Sequence, residues 1–245
     1  MFSDREVERY ARHLVLREIG GPGQQRLKAA GVLLVGAGGI GAPASLYLAA
    51  AGVGRLGLID DDAVALSNLQ RQVIYAEADI GRPKTEAATE RLQGLNSDIA
   101  VETFPVRLRE GNARELVRGW SLVIDGSDSF ETRLAVSDAC VAEGVPLISA
   151  AIGRWSAMLG LFRGRPCYRC LVAEAPPDPE TCVAVGVLGA LAGTAGSLAA
   201  VLAVRALVEA GPDLAGQVTR LDALDWRMRA TRVMADPHCP ACAAS

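Results

Sequence analysis

The sequence predicts an α/β fold: a doubly wound, mostly parallel sheet with an antiparallel extension in its last third. Three observations predict it. Short apolar runs alternate with helical stretches between Val32 and Ile152. A glycine-rich turn, Gly36-Ala37-Gly38-Gly39-Ile40-Gly41, joins the first of these runs to a helix. After Gly153 the pattern changes to alternating, hairpin-like segments. Strand–helix alternation gives parallel strands, and period-two alternation gives antiparallel ones. The 245 residues suit one such domain, with 50 % hydrophobic and 22 % charged residues.

Taken in order, Ser3-Asp4-Arg5-Glu6 reads as a capping box that opens a helix through YARHLVLREI. Gly20-Gly21-Pro22-Gly23 reads as its stop. VLLVG (Val32 to Gly36) is a strand buried on both faces, and PASLYLAAAG continues as a helix after the glycine turn. RLGLID is the second strand, ending at Asp60, and Asp60-Asp61-Asp62 opens a loop to about Arg82. Pro83 suits the first turn of a helix that runs to near Asn96. AVETFPV is strand-like, a polar helix lies near Ala113 to Arg118, and SLVIDGS is an apolar strand ending at Asp125. Ser129 can cap the helix FETRLAVSDACVAEG, and VPLISAAI is the next strand. WSAMLGLF reads as an antiparallel strand, and QVTRLDAL with DWRMRATRVM as a hairpin. The organisation is one domain with an N-terminal helical arm (1–30), a nucleotide-binding half (31–153) and a second half (154–245).

Charge and composition exclude some classes. A net charge of −3 gives no reason to expect nucleic-acid binding. Val183 to Val204 is uncharged and long enough to span a bilayer, but it is mostly Ala and Gly and lacks aromatic belts. A buried core helix is the expectation, and no membrane partner. The first residues are charged and lack an apolar signal region, which points to a cytoplasmic setting.

The turn Gly36 to Gly41 matches G-x-G-x-x-G in the strand–turn–helix context that a Rossmann-like nucleotide site needs. Gly36 permits the tight turn, Gly38 lets a phosphate approach, and Gly41 allows close helix–strand packing. Asp60, 19 residues beyond Gly41, can accept hydrogen bonds from a ribose. An NAD-dependent oxidoreductase explains these features. It does not explain Asn68, Arg71, Gln72 and Lys84 in the following loop and helix start, or Asp128 at the end of a later strand. Arg71 and Lys84 can neutralise phosphate oxygens, and Asp128 can hold Mg²⁺, which suits a triphosphate. A non-catalytic interaction module would keep the fold without an intact nucleotide turn, and here the turn is intact.

Cys167, Cys170, Cys239 and Cys242 form two C-x-x-C pairs separated by 68 residues. In an intracellular chain this favours a closed four-thiolate Zn²⁺ site over disulfides. Cys140, within an amphipathic helix, is expected in the core.

Together GAGGIG, LIDDD, SNLQRQ (Ser67 to Gln72), GRPK (Gly81 to Lys84), DGSD (Asp125 to Asp128) and CYRC…CPAC resemble the MoeB/ThiF/HesA adenylyltransferases. These are bacterial relatives of the ubiquitin-activating enzymes, and the resemblance covers essentially the whole chain. It implies ATP-dependent adenylation of the C-terminal carboxylate of a ubiquitin-like sulfur-carrier protein ending in Gly-Gly, for molybdopterin, thiamine or related biosynthesis. ATP and Mg²⁺ are the implied cofactors, beside Zn²⁺. By resemblance, Gly36, Gly38, Gly39, Gly41, Asp60, Asp62, Asn68, Arg71, Gln72, Lys84 and Asp128 form the nucleotide set. Arg12 resembles an arginine finger offered across a homodimer, and Cys182 a cysteine that links covalently to the carrier in some members. The family often carries Gly-Gln after Arg154-Trp155; here Ser156-Ala157 follow, which alters the groove for the carrier tail. Without a rhodanese-like extension, sulfur is expected from a separate donor protein.

Overall fold

The computed structural model describes residues 2–175 and 186–243. Its strands are β1 (Gly31–Val35), β2 (Arg55–Ile59), β3 (Ala100–Phe104), β4 (Leu122–Asp125), β5 (Leu147–Gly153), β6 (Ser156–Phe162), β7 (Gln217–Asp222) and β8 (Arg227–Arg232). Its helices are α1 (Asp4–Arg9), α2 (Ala11–Leu14), α3 (Gly20–Ala29), α4 (Gly41–Ala51), α5 (Lys84–Leu95), α6 (Glu110–Val117), α7 (Phe130–Glu143) and α8 (Gly189–Val208). One sheet joins all the strands in the order β3-β2-β1-β4-β5-β6-β7-β8. The first five are parallel, and β6, β7 and β8 add antiparallel pairs, as expected.

Helices cover both faces of the parallel part, so β1 is buried along its whole length. Its alternate side chains divide between two cores. Val32 and Leu34 face Leu27 of α3, Leu48 of α4, Leu92 of α5 and Ala195 of α8. Leu33 and Val35 face Val117 of α6 and Leu134 and Val136 of α7. This explains a continuous apolar run rather than an alternating one.

Among the described residues, α8 is the helix long and apolar enough to cross a membrane. Here it is part of the core: Ala192, Ala195, Ala199, Ala200 and Ala203 are buried against the sheet and its neighbouring helices. Small side chains let those backbones approach closely. The helix runs from Gly189 to Val208, later at both ends than the expected Val183 to Val204, and residues 183–185 lie outside the described residues.

Other boundaries also differ from expectation. The capping box at Ser3 is present, but the helix it opens stops at Tyr10 and a short second one follows. Tyr10 is drawn inward: it is 5 % exposed, and its hydroxyl accepts from Asn96 Nδ2 at 3.0 Å. The Gly20–Gly23 breaker starts a helix instead of only stopping one. Pro22 sits in the first turn of α3, where the N–H it lacks has no partner to lose. β4 ends at Asp125, so Asp128 lies in the turn before α7 and not at a strand end. Ser129 caps α7 as expected, accepting from Thr132 N–H.

At the other end of α7, Glu143 is placed unfavourably against the helix dipole. Two guanidiniums from the neighbouring helix offset this: Arg114 and Arg118 each donate to its carboxylate at 2.9 Å. First Arg118 and then Arg114 hold the Glu143 pKa down, from 4.5 to about 2. A depressed acid stabilises the fold above its unfolded pKa and loses that contribution as pH falls toward the folded one. Thermal melts should therefore show an acid-side decline between about pH 4.5 and 2 that is shallower in Glu143→Gln. An identical slope in the variant would remove this pair as a cause.

Candidate functional site

The strand order reverses between β1 and β4, which opens a crevice above the carboxyl ends of the strands. The glycine turn leaves β1 at that point. A Cβ on Gly41 would stand 1.9 Å from the Gly36 carbonyl oxygen, so α4 can start this close to β1 only with glycine there. The turn is held from two sides. Ala37 N–H donates to Asp60 Oδ2 at 2.8 Å, and the buried Tyr75 hydroxyl donates to the Ala37 carbonyl at 2.8 Å.

Asp60 follows β2 and also accepts from Asp62 N–H at 2.9 Å. Burial pushes its pKa up, while the Lys84 ammonium and the two backbone donors oppose that shift. Lys84 is the first residue of α5 and only 5 % exposed. Its Nζ lies 2.7 Å from Asp62 Oδ2 and 3.8 Å from Asp60 Oδ1. A buried ammonium is tolerated when carboxylates pair with it, and here they hold it at the rim.

The 66–72 segment brings the other residues close. Arg71 lies along the glycine turn, with its Cγ and Cδ 3.6 Å from where a Gly39 Cβ would stand. Its guanidinium donates to the Ser67 carbonyl at 2.9 Å. Gln72 is 3 % exposed, with Nε2 facing Gly38 and Oε1 buried without a hydrogen-bond partner. Asn68 uses Oδ1 to accept from Ala65 N–H at 3.2 Å, which leaves its amide nitrogen uncommitted among the described residues. The turn after β4 passes the same place, since a Cβ on Gly36 would be 3.4 Å from Gly126. Asp128 is exposed on that turn.

Gly36, Gly38, Gly39, Gly41, Asp60, Asp62, Arg71, Gln72 and Lys84 thus gather on one rim, with Asn68 in the same segment and Asp128 on the adjoining turn. Arg12 is exposed on α2, and no hydrogen bond or ion pair ties it to the rim among the described residues. Cys182 lies outside the described residues. One feature of this edge escaped the sequence reading. A cavity of about 510 Å³ opens beside Asp61 and is walled by Arg107, Arg109 and Asn112. The only local signal was Pro105 ending the β3 run ahead of a polar helix start.

Away from this rim, the sulfur atoms of Cys167, Cys170, Cys239 and Cys242 all lie within 4.8 Å of one another. Cys167 and Cys239 are 3.6 Å apart, and Cys170 and Cys242 are 3.5 Å apart. A tetrahedron with Zn–S bonds of about 2.3 Å needs sulfur–sulfur edges of about 3.8 Å. The thiols are free, and a disulfide would need about 2.05 Å. Asp236 N–H points at Cys170 Sγ at 3.4 Å, as a donor to a thiolate would. The donor set therefore fits Zn²⁺. Cys140 is a buried core residue, as expected.

The sequence pattern of the ThiF family matches residues 10–241. This chain belongs to the ThiF family. Curated relatives of the ThiF-family chain match it nearly end to end. The SAMP-activating enzyme E1 of Haloferax volcanii is 44 % identical over 241 residues, 97 % of this chain and 89 % of that one. The sulfur carrier protein adenylyltransferase of Thermus thermophilus is 43 % identical, covering 98 % and 92 %. The molybdopterin-synthase adenylyltransferase of Salmonella typhimurium is 40 % identical, covering 98 % of each. Among solved structures, E. coli MccB in complex with MccA-N7isoASN superposes with a TM-score of 0.86 at 24 % identity, covering 98 % of this chain and 75 % of that one. That likeness shows the fold shared by the ThiF-family chain.

Proposed function

We propose that this chain adenylates the C-terminal carboxylate of a ubiquitin-like sulfur-carrier protein ending in Gly-Gly, using MgATP. The observation that carries this is Lys84, a buried cation held against Asp60 and Asp62 beside a glycine turn that Arg71 also crosses. Two cations at a phosphate-binding turn suit a triphosphate. A nicotinamide site has little use for them.

In the reaction, a carrier carboxylate oxygen bonds to the α-phosphorus of ATP. The bond from that phosphorus to the bridging oxygen breaks, and pyrophosphate takes the electron pair. Asp60 orients the ribose, and the cavity beside Asp61 receives the base. Arg71, Lys84 and the Asn68 amide meet phosphate oxygens as charge moves to the leaving group. Asp128 would hold Mg²⁺, which neutralises phosphate charge when bound. Arg12 reaches the site from the second subunit of a homodimer. The four cysteines would hold Zn²⁺ in a structural role, and Cys182 is a candidate for a later covalent step with the carrier. Sulfur comes from a separate donor protein, in a cytoplasmic setting where thiols stay reduced.

The test is ATP–pyrophosphate exchange with several ubiquitin-like carriers, each compared with a form lacking its last glycine. Exchange should require an intact carrier. Absence of exchange with every carrier, together with NADH oxidation, would favour an oxidoreductase instead.

Two glycines separate folding from ligand binding. Gly41→Ala forces a methyl into the Gly36 carbonyl and should destabilise the protein by about 3 kcal/mol or more in denaturant melts. A Cβ on Gly38 would meet only the Gln72 amide, with Nε2 at an ordinary 3.5 Å and Cδ at 4.0 Å. Gly38→Ala should therefore fold normally, yet bind MgATP at least about tenfold more weakly by calorimetry. Unimpaired binding in Gly38→Ala would place the phosphates elsewhere.

A further inference from the structure

Beneath the turn that carries Asp128 lies a set of buried polar groups with no part in the scheme above. Asp125, the last residue of β4, is completely enclosed. Its Oδ1 accepts from the Ser127 N–H at 3.0 Å and from the Ser127 hydroxyl at 2.6 Å. Its Oδ2 has no hydrogen-bond partner. Arg133 of α7 is 6 % exposed and donates to the Ala150 carbonyl at 3.0 Å. It also donates to the Ser127 carbonyl. Tyr168, between Cys167 and Cys170, is 2 % exposed and within electrostatic reach of both charges.

Ser127 is therefore fixed at its N–H, its hydroxyl and its carbonyl, by two buried ionisable side chains from different elements. Asp128 is the next residue. Burying ionisable groups is a poor device for stability, because apolar groups of the same size fill such a space as well or better. Its best-attested use is to specify a single geometry. The geometry specified here is that of the backbone leading into Asp128.

The geometry points to Arg133, acting with Asp125 from the other side of Ser127, as the positioning residue that aims Asp128 at Mg²⁺ by holding Ser127. This rests on the proposed function, in which Asp128 holds the metal. Arg133 itself is buried, and its hydrogen bonds to Ser127 and Ala150 both go to backbone carbonyls. Its forked guanidinium spans two carbonyls, Ser127 and Ala150, which tie the turn to β5. A lysine keeps the charge but cannot make that fork.

The test compares ATP binding with and without Mg²⁺ by calorimetry in the zinc-loaded full chain, for the unchanged protein, Arg133→Lys, and the double variant Asp125→Asn with Arg133→Gln. The double variant removes both ionisable groups and keeps polar side chains, so it keeps the question open should Arg133→Lys fold poorly. In each variant the Mg²⁺ concentration for half-maximal effect should rise about 10- to 100-fold, as for groups that orient a metal ligand. Metal-free ATP affinity should match that of the unchanged protein. A merely structural role would weaken both measurements together, and that result overturns the assignment, as does an unaltered Mg²⁺ requirement. If the unchanged protein shows no Mg²⁺-dependent ATP binding, the proposed function fails first and this assignment with it.

Discussion

Replacing Asp128 with alanine is expected to lower carrier-dependent ATP–pyrophosphate exchange about 100-fold or more, equivalent to about 3 kcal/mol of transition-state stabilisation. The side chain is exposed on the turn after β4 and makes no hydrogen bond among the described residues. The fold therefore loses little, and the melting temperature and zinc content should match those of the unchanged protein. Asp128→Asn keeps the shape without the charge and should be nearly as impaired, since a hard cation selects carboxylate over amide oxygen. Full exchange activity in Asp128→Ala would remove this residue from the mechanism.

Stripping the proposed zinc from the cysteine cluster should produce the other large effect, on stability rather than chemistry. The cluster closes a loop of 68 intervening residues that contains α8 and the β7–β8 hairpin. Opening a loop of that size returns about 4 kcal/mol of chain entropy to the unfolded state. For a chain of this length that corresponds to a fall in melting temperature of about 10 °C. Cys242→Ser should reproduce the fall, because it removes a fully buried thiol of the candidate set. Metal analysis should give one zinc per chain before treatment and far less afterwards. A melting temperature unmoved by complete metal removal would contradict a structural site.

The parallel half was legible in the sequence for a physical reason: strands buried on both faces must be apolar throughout. The glycine turn was equally clear, because its residues are set by backbone geometry over six consecutive positions. The arm was read less well. Tyr10 interrupts the helix because Asn96, 86 residues away, holds its hydroxyl, and no local pattern announces that contact. The restart at Gly20 was masked by residues that both end and begin helices.

Asp60, Arg71 and Lys84 could be singled out as candidates because they belong to compact motifs. Arg133 went unnoticed: it sits in a helix that reads as ordinary, and its partners Ser127 and Ala150 lie on separate elements. The wall of the cavity beside Asp61 was missed likewise, since residues 105–112 carry no periodic signal.

The double hold on Ala37, from Asp60 on its N–H and from Tyr75 on its carbonyl, has a bearing on how a nucleotide would arrive. A loop already fixed in shape has no disorder to surrender on capture, so the encounter carries a smaller entropic penalty than it would with a floppy loop. Association should then be limited by the meeting of two molecules and not by any rearrangement of the cradle. Empty and filled forms should superpose closely along this stretch.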